Sequence, residues 1–324
     1  MLSSRASAPR HKQRGVALLT AMFVVFLASF ASVELVYSLQ LAINRSALVL
    51  GQRQAWQFAL GGEWWALEEL RRDQQRDLEL GRPRDWRAED WASKQIAAPI
   101  EGGSVSGYIA DLQGRFNVNS LVTAEGQVDE LQAGRLRRLV QALELDEVIV
   151  DAIIDWVDRN SEPEGLGGAE TGQYLLRTPP YLAPNAPMAD VSELSLLEGV
   201  DAVASARLRE HLCALPPGTP LNVNTANAYV LMSLHPDISL PDAESLVQYA
   251  EDNPAGFESK VDFLAQPQLA GRDIPEAGLE VYSSFFEANV VVSTVYGEIA
   301  LRSVLQRVED GRPRVVSRSL GLPE

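Results

Sequence analysis

The feature that most limits what this chain can fold into is an uncharged apolar run near its N-terminus, Val16-Ala-Leu-Leu-Thr-Ala-Met-Phe-Val-Val-Phe-Leu-Ala-Ser-Phe-Ala-Ser-Val33. As a helix rising about 1.5 Å per residue it is roughly 27 Å long, enough to cross most of a bilayer core. The segment before it carries Arg5, Arg10, Lys12 and Arg14 and no acid, which predicts that the N-terminal side stays in the cytoplasm. Everything after about residue 38 then faces the far side of the membrane, the periplasm in a Gram-negative cell. An ordinary secretory signal places a small-residue cleavage site after its apolar run. Here the notable junction, Arg14-Gly15-Val16, precedes the run. Apolar residues continue at helical spacing through Leu35, Leu39, Ile43, Leu50 and Phe58, with no proline until Pro83, so residues 34–80 read as a helix.

The remainder has the composition of a folded body. A chain of 324 residues, 46% apolar and 22% charged, suffices for about two domains with a real core. Its 28 basic and 44 acidic residues give a net charge of −16, which disfavours nonspecific nucleic-acid binding. A lone Cys213 excludes an internal disulfide and any multi-cysteine zinc or iron–sulfur site. Only His11, His211 and His235 are available for a histidine-based metal site or triad.

Strand signals stand at both ends of this body. Val105–Leu112 lies between Gly102-Gly103 and Gly114, and Phe285–Val295, Glu298–Val308 and Arg314–Leu320 are rich in β-branched residues, with turn signals at Tyr296-Gly297 and Asp310-Gly311. Between them the pattern is helical near 128–143, 145–157, 190–212, 225–234, 240–252 and 258–265, broken by prolines. The order predicts an α+β chain, an antiparallel sheet packed on one long helix, with an all-helical domain inserted into it.

The one concentration of chemistry is acidic. Glu144, Asp146, Glu147, Asp151, Asp155, Asp158, Glu162, Glu164 and Glu170 share their stretch with a single base, Arg159. Asp151 and Asp155 are spaced for one solvated helix face. The loop Asp158-Arg-Asn160-Ser-Glu162-Pro-Glu164-Gly-Leu-Gly-Gly-Ala-Glu170 alternates oxygen ligands and then supplies glycines and a distant carboxylate, which suits a hard cation needing six to eight oxygens. Its spacing is not that of an EF-hand, and a solvated acidic loop is the alternative. No nucleophile, base and oxyanion set accompanies these acids; Ser192, Ser195 and His211 read as cap, surface or packing residues, and Cys213 as a small buried hydrophobe. Leu194–Val200, followed by Leu221–Ala226, resembles the helix-hairpin-helix units of DNA-uptake and repair proteins. Glu193, Glu198 and Asp201 crowd that hairpin, so a helical packing module capped by Asn224 or Thr225 is the reading preferred to DNA binding.

Gly15 followed directly by an apolar helix resembles the leader of type IV pilins and type II secretion pseudopilins, in which a prepilin peptidase cuts after the glycine and leaves the helix on the mature protein; an uncleaved anchor is the alternative. Cleavage there would remove four basic residues and carry the net charge from −16 to −20. Val16 would become the first residue and Thr20 would fall at position five, where most pilin-like subunits have Glu. A neutral residue there cannot pair with a neighbour's terminal amine, yet it avoids burying an unpaired carboxylate. Ala55–Asp73, Asp111–Leu121, Asp155-Trp-Val-Asp158 and Gly168-Ala-Glu170 resemble the minor pseudopilin K family of the type II secretion system, along the chain from leader to C-terminus.

The resemblance implies a leader at 1–15, a transmembrane helix at 16–37, pseudopilin helix and first strands at 38–119, a helical insertion with a helix-hairpin-helix or SAM-like part at 120–282, and closing strands at 283–324. It implies calcium in the insertion, a role carried onto Asp158, Asn160, Glu164 and Glu170 and, less directly, Asp155 and Glu162. Processing would fall at Gly15 and Val16, with methylation of the latter. It further implies a non-enzymatic subunit, single-pass in the inner membrane with a periplasmic body, that joins minor pseudopilins I and J at the tip of the pseudopilus and supports export of folded proteins. The alternative is a membrane-anchored helix-hairpin-helix DNA-binding protein of a DNA-uptake system.

Overall fold

The computed structural model describes residues 14–308 and 312–321. Leader residues 1–13 and the Asp310-Gly311 turn signal lie outside them. The first helix, α1, runs unbroken over Arg14–Leu80, through two compact units that divide after Ala55. In the first unit the apolar side chains from Val16 to Leu50 point outward, and the helix is long and apolar enough to cross a membrane. Its hydroxyls bond to its own turns: Thr20 Oγ1 donates to the Ala17 carbonyl at 3.0 Å and Ser32 Oγ to that of Ala28 at 2.7 Å. Such internal pairing is what a bilayer demands, since lipid offers no partners.

The second unit begins within α1 and continues through α2 (Asp90–Ser93), β1 (Ile96–Ile100) and β2 (Gly103–Asp111). An insertion follows, holding β3 (Phe116–Asn117), α3 (Glu130–Ala142), α4 (Val148–Val157), α5 (Thr171–Tyr174), α6 (Ala202–His211), β4 (Leu212–Cys213), β5 (Leu221–Asn222), α7 (Ala228–Met232), α8 (Leu240–Asp252), α9 (Lys260–Leu264) and β6 (Leu279–Glu280). β7 (Phe285–Thr294), β8 (Gly297–Gln306) and β9 (Arg314–Gly321) complete an antiparallel sheet in the order β1-β2-β7-β8-β9. Because β2 pairs directly with β7, with Asp111 opposite Phe286, the whole insertion is an enlarged turn of one β-hairpin.

Alternate residues of this sheet, among them Ile109, Phe286, Ala288 and Leu305, face α1 and bury Ala66, Leu70 and Trp91. The approach is close: a Cβ on Gly62 would lie 2.6 Å from Val290 Cγ1, so only glycine lets the helix settle there. Glu63 fixes the register by accepting from Ser303 Oγ at 2.6 Å and from Arg318 Nε at 2.7 Å.

The insertion has two apolar cores. One gathers α3 and α4 residues such as Leu136, Leu139, Ile153 and Ile154; the other gathers Val230, Leu246, Phe257 and Phe263 from α7 to α9. The helix expected at 190–212 is split. A 3-10 turn over Val191–Leu196 ends before Gly199, whose φ of +75° breaks the run, and Asp201 then caps α6 by accepting from Ala204 N at 2.7 Å. Asn227, rather than Asn224 or Thr225, caps α7. Asn224 instead clamps Phe257 by accepting from its N–H at 2.7 Å, and Thr225 Oγ1 donates to Asp111 at 2.5 Å. Two short parallel pairings, β3 with β4 and β5 with β6, interrupt the otherwise helical insertion. β1 adds a strand before the one expected at Val105–Leu112, and it carries Pro99 because a sheet edge tolerates proline.

Where α1 ends, acids gather around one base. Arg307, just past β8, donates to Asp73 at 2.5 Å and to Asp85 at 2.5 Å, with its guanidinium 4.4 Å from the Phe286 ring centroid. Asp77 and Glu89 are buried beside them, and Glu89 accepts from Trp91 Nε1 at 2.6 Å. Burial, aided by neighbouring acids, pushes Asp77 up to about 7 and Glu89 up to about 9; burial outweighs Arg307 at Asp73, which rises to about 6. The folded chain therefore keeps protons that the unfolded chain, with carboxyl values near about 4, has already lost. Stability should fall as pH rises from about 4.5 to 9, each group contributing up to about 1.4 kcal/mol per pH unit until its folded value is passed. Thermal unfolding of the full-length chain in detergent and chelator should give a lower Tm at pH 8.5 than at pH 5.5. A flat or rising profile would contradict the buried-acid account.

Candidate functional site

The acidic loop closes over the end of α4. That helix is apolar on most of its surface, so the side carrying Asp155 is covered by chain rather than water, and Asp155 is fully buried. This corrects the expectation that Asp151 and Asp155 share a solvated face; Asp151 is half-buried and meets Arg137 at 3.6 Å. Asp158 is the C-cap of α4 and is also buried. Asp155 Oδ1 accepts from Glu164 N at 2.8 Å, Asp158 Oδ2 from Asn160 Nδ2 at 2.6 Å, and Asn160 Oδ1 from Glu162 N at 2.6 Å. A Cβ on Gly168 would lie 2.6 Å from Asp155 Oδ2 and would also collide with the Glu164 carbonyl, so the glycine permits this closure.

Glu170 and Asn185 complete the enclosure. Asn185 Nδ2 donates to the Asn160 carbonyl and reaches Glu170 Oε2 at 3.4 Å. Four oxygens are then buried with no hydrogen-bond partner: Asp155 Oδ2, Asp158 Oδ1, Glu170 Oε1 and Asn185 Oδ1. Burial, reinforced by the charge of Glu170, pushes Asp155 up to about 7 and Asp158 up to about 6. Buried acceptors without donors are costly. An all-oxygen donor set of three carboxylates and a carboxamide fits calcium, which takes six to eight hard oxygens.

The positions named from sequence thus divide. Asp155, Asp158 and Glu170 contribute orphaned oxygens, while Asn160 orders the loop through its side chain and carbonyl. Glu162 and Glu164 enter through backbone N–H groups; the Glu162 side chain is exposed and that of Glu164 half-buried. Asn185 was missed. Its signal is slight, an Asn after proline at a φ of +42°, a conformation Asn tolerates better than most residues.

Other candidates resolve as packing. Ser195 Oγ donates to the Ser192 carbonyl at 2.7 Å, His211 Nδ1 pairs with Asn227 Nδ2 at 2.8 Å, and Cys213 is buried, which pushes its thiol up. At the hairpin before α6, Asp201 fills the helix N-terminus that a phosphate would need, and Glu198 pairs with Arg177. Gly15 and Val16 lie in the first turn of α1 with exposed surroundings.

Residues 114–217 match the family described as type II secretion system (T2SS), protein K, and residues 221–282 match a second segment so described. The type II secretion system protein K of Pseudomonas aeruginosa is 38% identical over 318 residues, covering 96% of this chain and 94% of that protein. The Klebsiella pneumoniae and Aeromonas hydrophila proteins so named are 32% and 30% identical, each alignment covering 96% of this chain and 98% of the relative. Among solved structures, a chain of the GspK-GspI-GspJ complex from the enterotoxigenic Escherichia coli type 2 secretion system superposes with a TM-score of 0.74 at 26% identity, over 86% of this chain and 100% of that one. This chain therefore belongs to the type II secretion system protein K family.

Proposed function

We propose that this minor pseudopilin is a non-enzymatic tip subunit, made as a precursor, cleaved after Gly15, methylated on Val16 and held single-pass in the inner membrane with its body in the periplasm. In the reading we favour it joins minor pseudopilins I and J and starts or caps the pseudopilus that supports export of folded proteins. The observation that carries this is the hairpin insertion: a pilin-like helix and sheet from which one turn has grown into a two-core domain. Such bulk suits the end of a filament better than its shaft, where subunits stack on both sides. Thr20 supports the same place. Its hydroxyl is satisfied by Ala17 and so needs no amine from a subunit ahead. The complex formed by the enterotoxigenic Escherichia coli relative supports I and J as partners.

We also propose that Asp155, Asp158, Glu170 and Asn185 hold calcium, which would fix the loop over α4 and stiffen the exposed end of the insertion. Protons compete for the same carboxylates, so calcium binding should weaken as pH falls from 8 to 6, through the raised values of Asp155 and Asp158. Asp155→Asn should weaken it by about tenfold or more. Calorimetric titration of the full-length chain measures both; affinity unaffected by pH and by the substitution would exclude this site.

Two experiments test the assembly role. The intact mass from native membranes should lack residues 1–15 and carry one methyl group only when a prepilin peptidase is active; a full-length mass in both cells would make the chain an ordinary anchored domain. Replacing residues 113–284 by a short turn joins strands that already pair, since Leu112 N donates to the Phe285 carbonyl at 3.2 Å. The truncated chain should still enter the membrane but alter pseudopilus length or secretion. Unchanged length and secretion would remove the capping role.

A further inference from the structure

Residues 186–193 form a strap hung at both ends on one residue of α4. Ala186 N donates to the Trp156 carbonyl at 3.4 Å, and Glu193 Oε2 accepts from Trp156 Nε1 at 2.8 Å. Trp156 is buried and directly follows Asp155, while Asn185, with its own orphaned oxygen, directly precedes the strap. In the middle of the strap, the buried Asn119 grips both backbone groups of Met188, accepting from its N–H at 2.7 Å and donating to its carbonyl at 3.0 Å. Two residues on, Asp190 reaches out of the insertion to the sheet. Its carboxylate pairs with Arg302 Nη2 on β8, and Arg302 Nε meets the buried Glu287 of β7 at 3.1 Å. The backbone on either side of this pair is fixed: Asp190 Oδ1 accepts from Ser192 N at 2.8 Å, and Glu193 Oε1 from Ala189 N at 2.7 Å.

Given calcium at the end of α4, the reading on which this rests, we propose that the Asp190–Arg302 pair is a calcium-dependent latch, through which occupancy of that site sets how firmly the insertion grips the sheet. Three crowded carboxylates repel one another. That repulsion falls on the last turn of α4 and on the Asn185 segment, the two places from which the strap hangs. A cation that draws these oxygens together steadies both places at once. Because Asn119 stiffens the middle of the strap, the order is carried on to Asp190 instead of being absorbed along the way. Latch and cation then share one coupling free energy, and the coupling is reciprocal: what calcium adds to the latch, the latch adds to calcium affinity. Sign separates this coupling from plain electrostatics. Arg302→Gln removes a positive charge, which by itself favours a bound cation, whereas loss of the latch disfavours it.

Calorimetric titration of the full-length chain in detergent with calcium chloride, and hydrogen exchange in calcium and in chelator, test the latch. In the unsubstituted chain calcium should slow exchange along residues 186–193. Arg302→Gln should bind calcium about fivefold or more weakly. Asp190→Asn, which retains a capping side chain and leaves Arg302 its contact with Glu287, should do the same and serves if Arg302→Gln does not fold. The double variant has the net charge of the unsubstituted chain, so purely electrostatic effects would cancel in it; a latch predicts that it binds as weakly as either single variant. Arg314→Gln, which removes the same charge from the neighbouring strand β9, should leave the affinity unchanged. Calcium binding by the unsubstituted chain with equal or tighter binding by Arg302→Gln, or recovery of affinity in the double variant, would overturn the latch and leave the calcium site standing. No calcium binding by the unsubstituted chain would overturn both.

Discussion

Arg307 is the point at which distant parts of this chain are held to one another. Its two terminal nitrogens reach Asp73 near the end of α1 and Asp85 in the segment that follows, and its face covers Phe286 of the sheet. Asp85 in turn accepts from Ser283 N at 2.7 Å, where the insertion returns to the sheet. A buried ion pair adds little by itself, because desolvation offsets the attraction, but losing one partner leaves the other charge uncompensated at a general cost of about 3–5 kcal/mol. The joint therefore acts through specificity. Helix end, linker, sheet and insertion share one polar centre, and a displacement of any of them strands a charge.

A second polar knot fixes the insertion at both of its ends. Asp111 closes β2 and accepts from Ser283 Oγ at 2.6 Å, Thr225 Oγ1 at 2.5 Å and Asn222 Nδ2 at 3.1 Å. Gln113 Oε1 accepts from Ser284 N at 2.6 Å, and its amide donates to the Pro220 carbonyl at 2.9 Å. Residues from the start, middle and end of the insertion thus converge on the two strands it separates. An enlarged hairpin turn would otherwise swing freely on two chain crossings. Here networked hydrogen bonds in a low-dielectric setting hold it, so its bulk is projected in a set direction, as a subunit excluding a neighbour needs.

Sequence pattern reveals the strongly periodic parts. The membrane run, the helical continuation to Leu80 and the β-branched strands after Phe285 follow from side-chain alternation, which local chemistry dictates. Features set by distant contacts were hidden. β1 owes its existence to an edge beside β2 that admits Pro99, and Asn224 looked like a cap because its use, clamping Phe257, lies 33 residues away. The acidic loop was legible as a ligand-rich segment, but not its inner members. Asp155 read as solvated because a helical pattern does not disclose that a later loop folds back over it, and Asn185 entered from beyond the Pro179-Pro180 segment with hardly a local sign.

The two acid clusters put the same problem in contrasting ways. At the end of α1, oxygens of Asp73, Asp85 and Glu89 lie within 4.8 Å of one another, a spacing that by itself suits a metal. The chain fills that need with Arg307, and Glu89 and Asp77 are pushed toward the neutral form. At the end of α4, Asp155, Asp158 and Glu170 have oxygens without donors, and Arg159, the base of that stretch, packs against Gly126 instead. Protons relieve part of this repulsion near neutral pH, as the raised values of Asp155 and Asp158 express. Each proton turns one carboxylate oxygen into a donor that serves a single neighbour. A hard divalent cation draws on several oxygens at once, so the proposed calcium, unlike a proton, would tie α4, the loop and the Asn185 segment together.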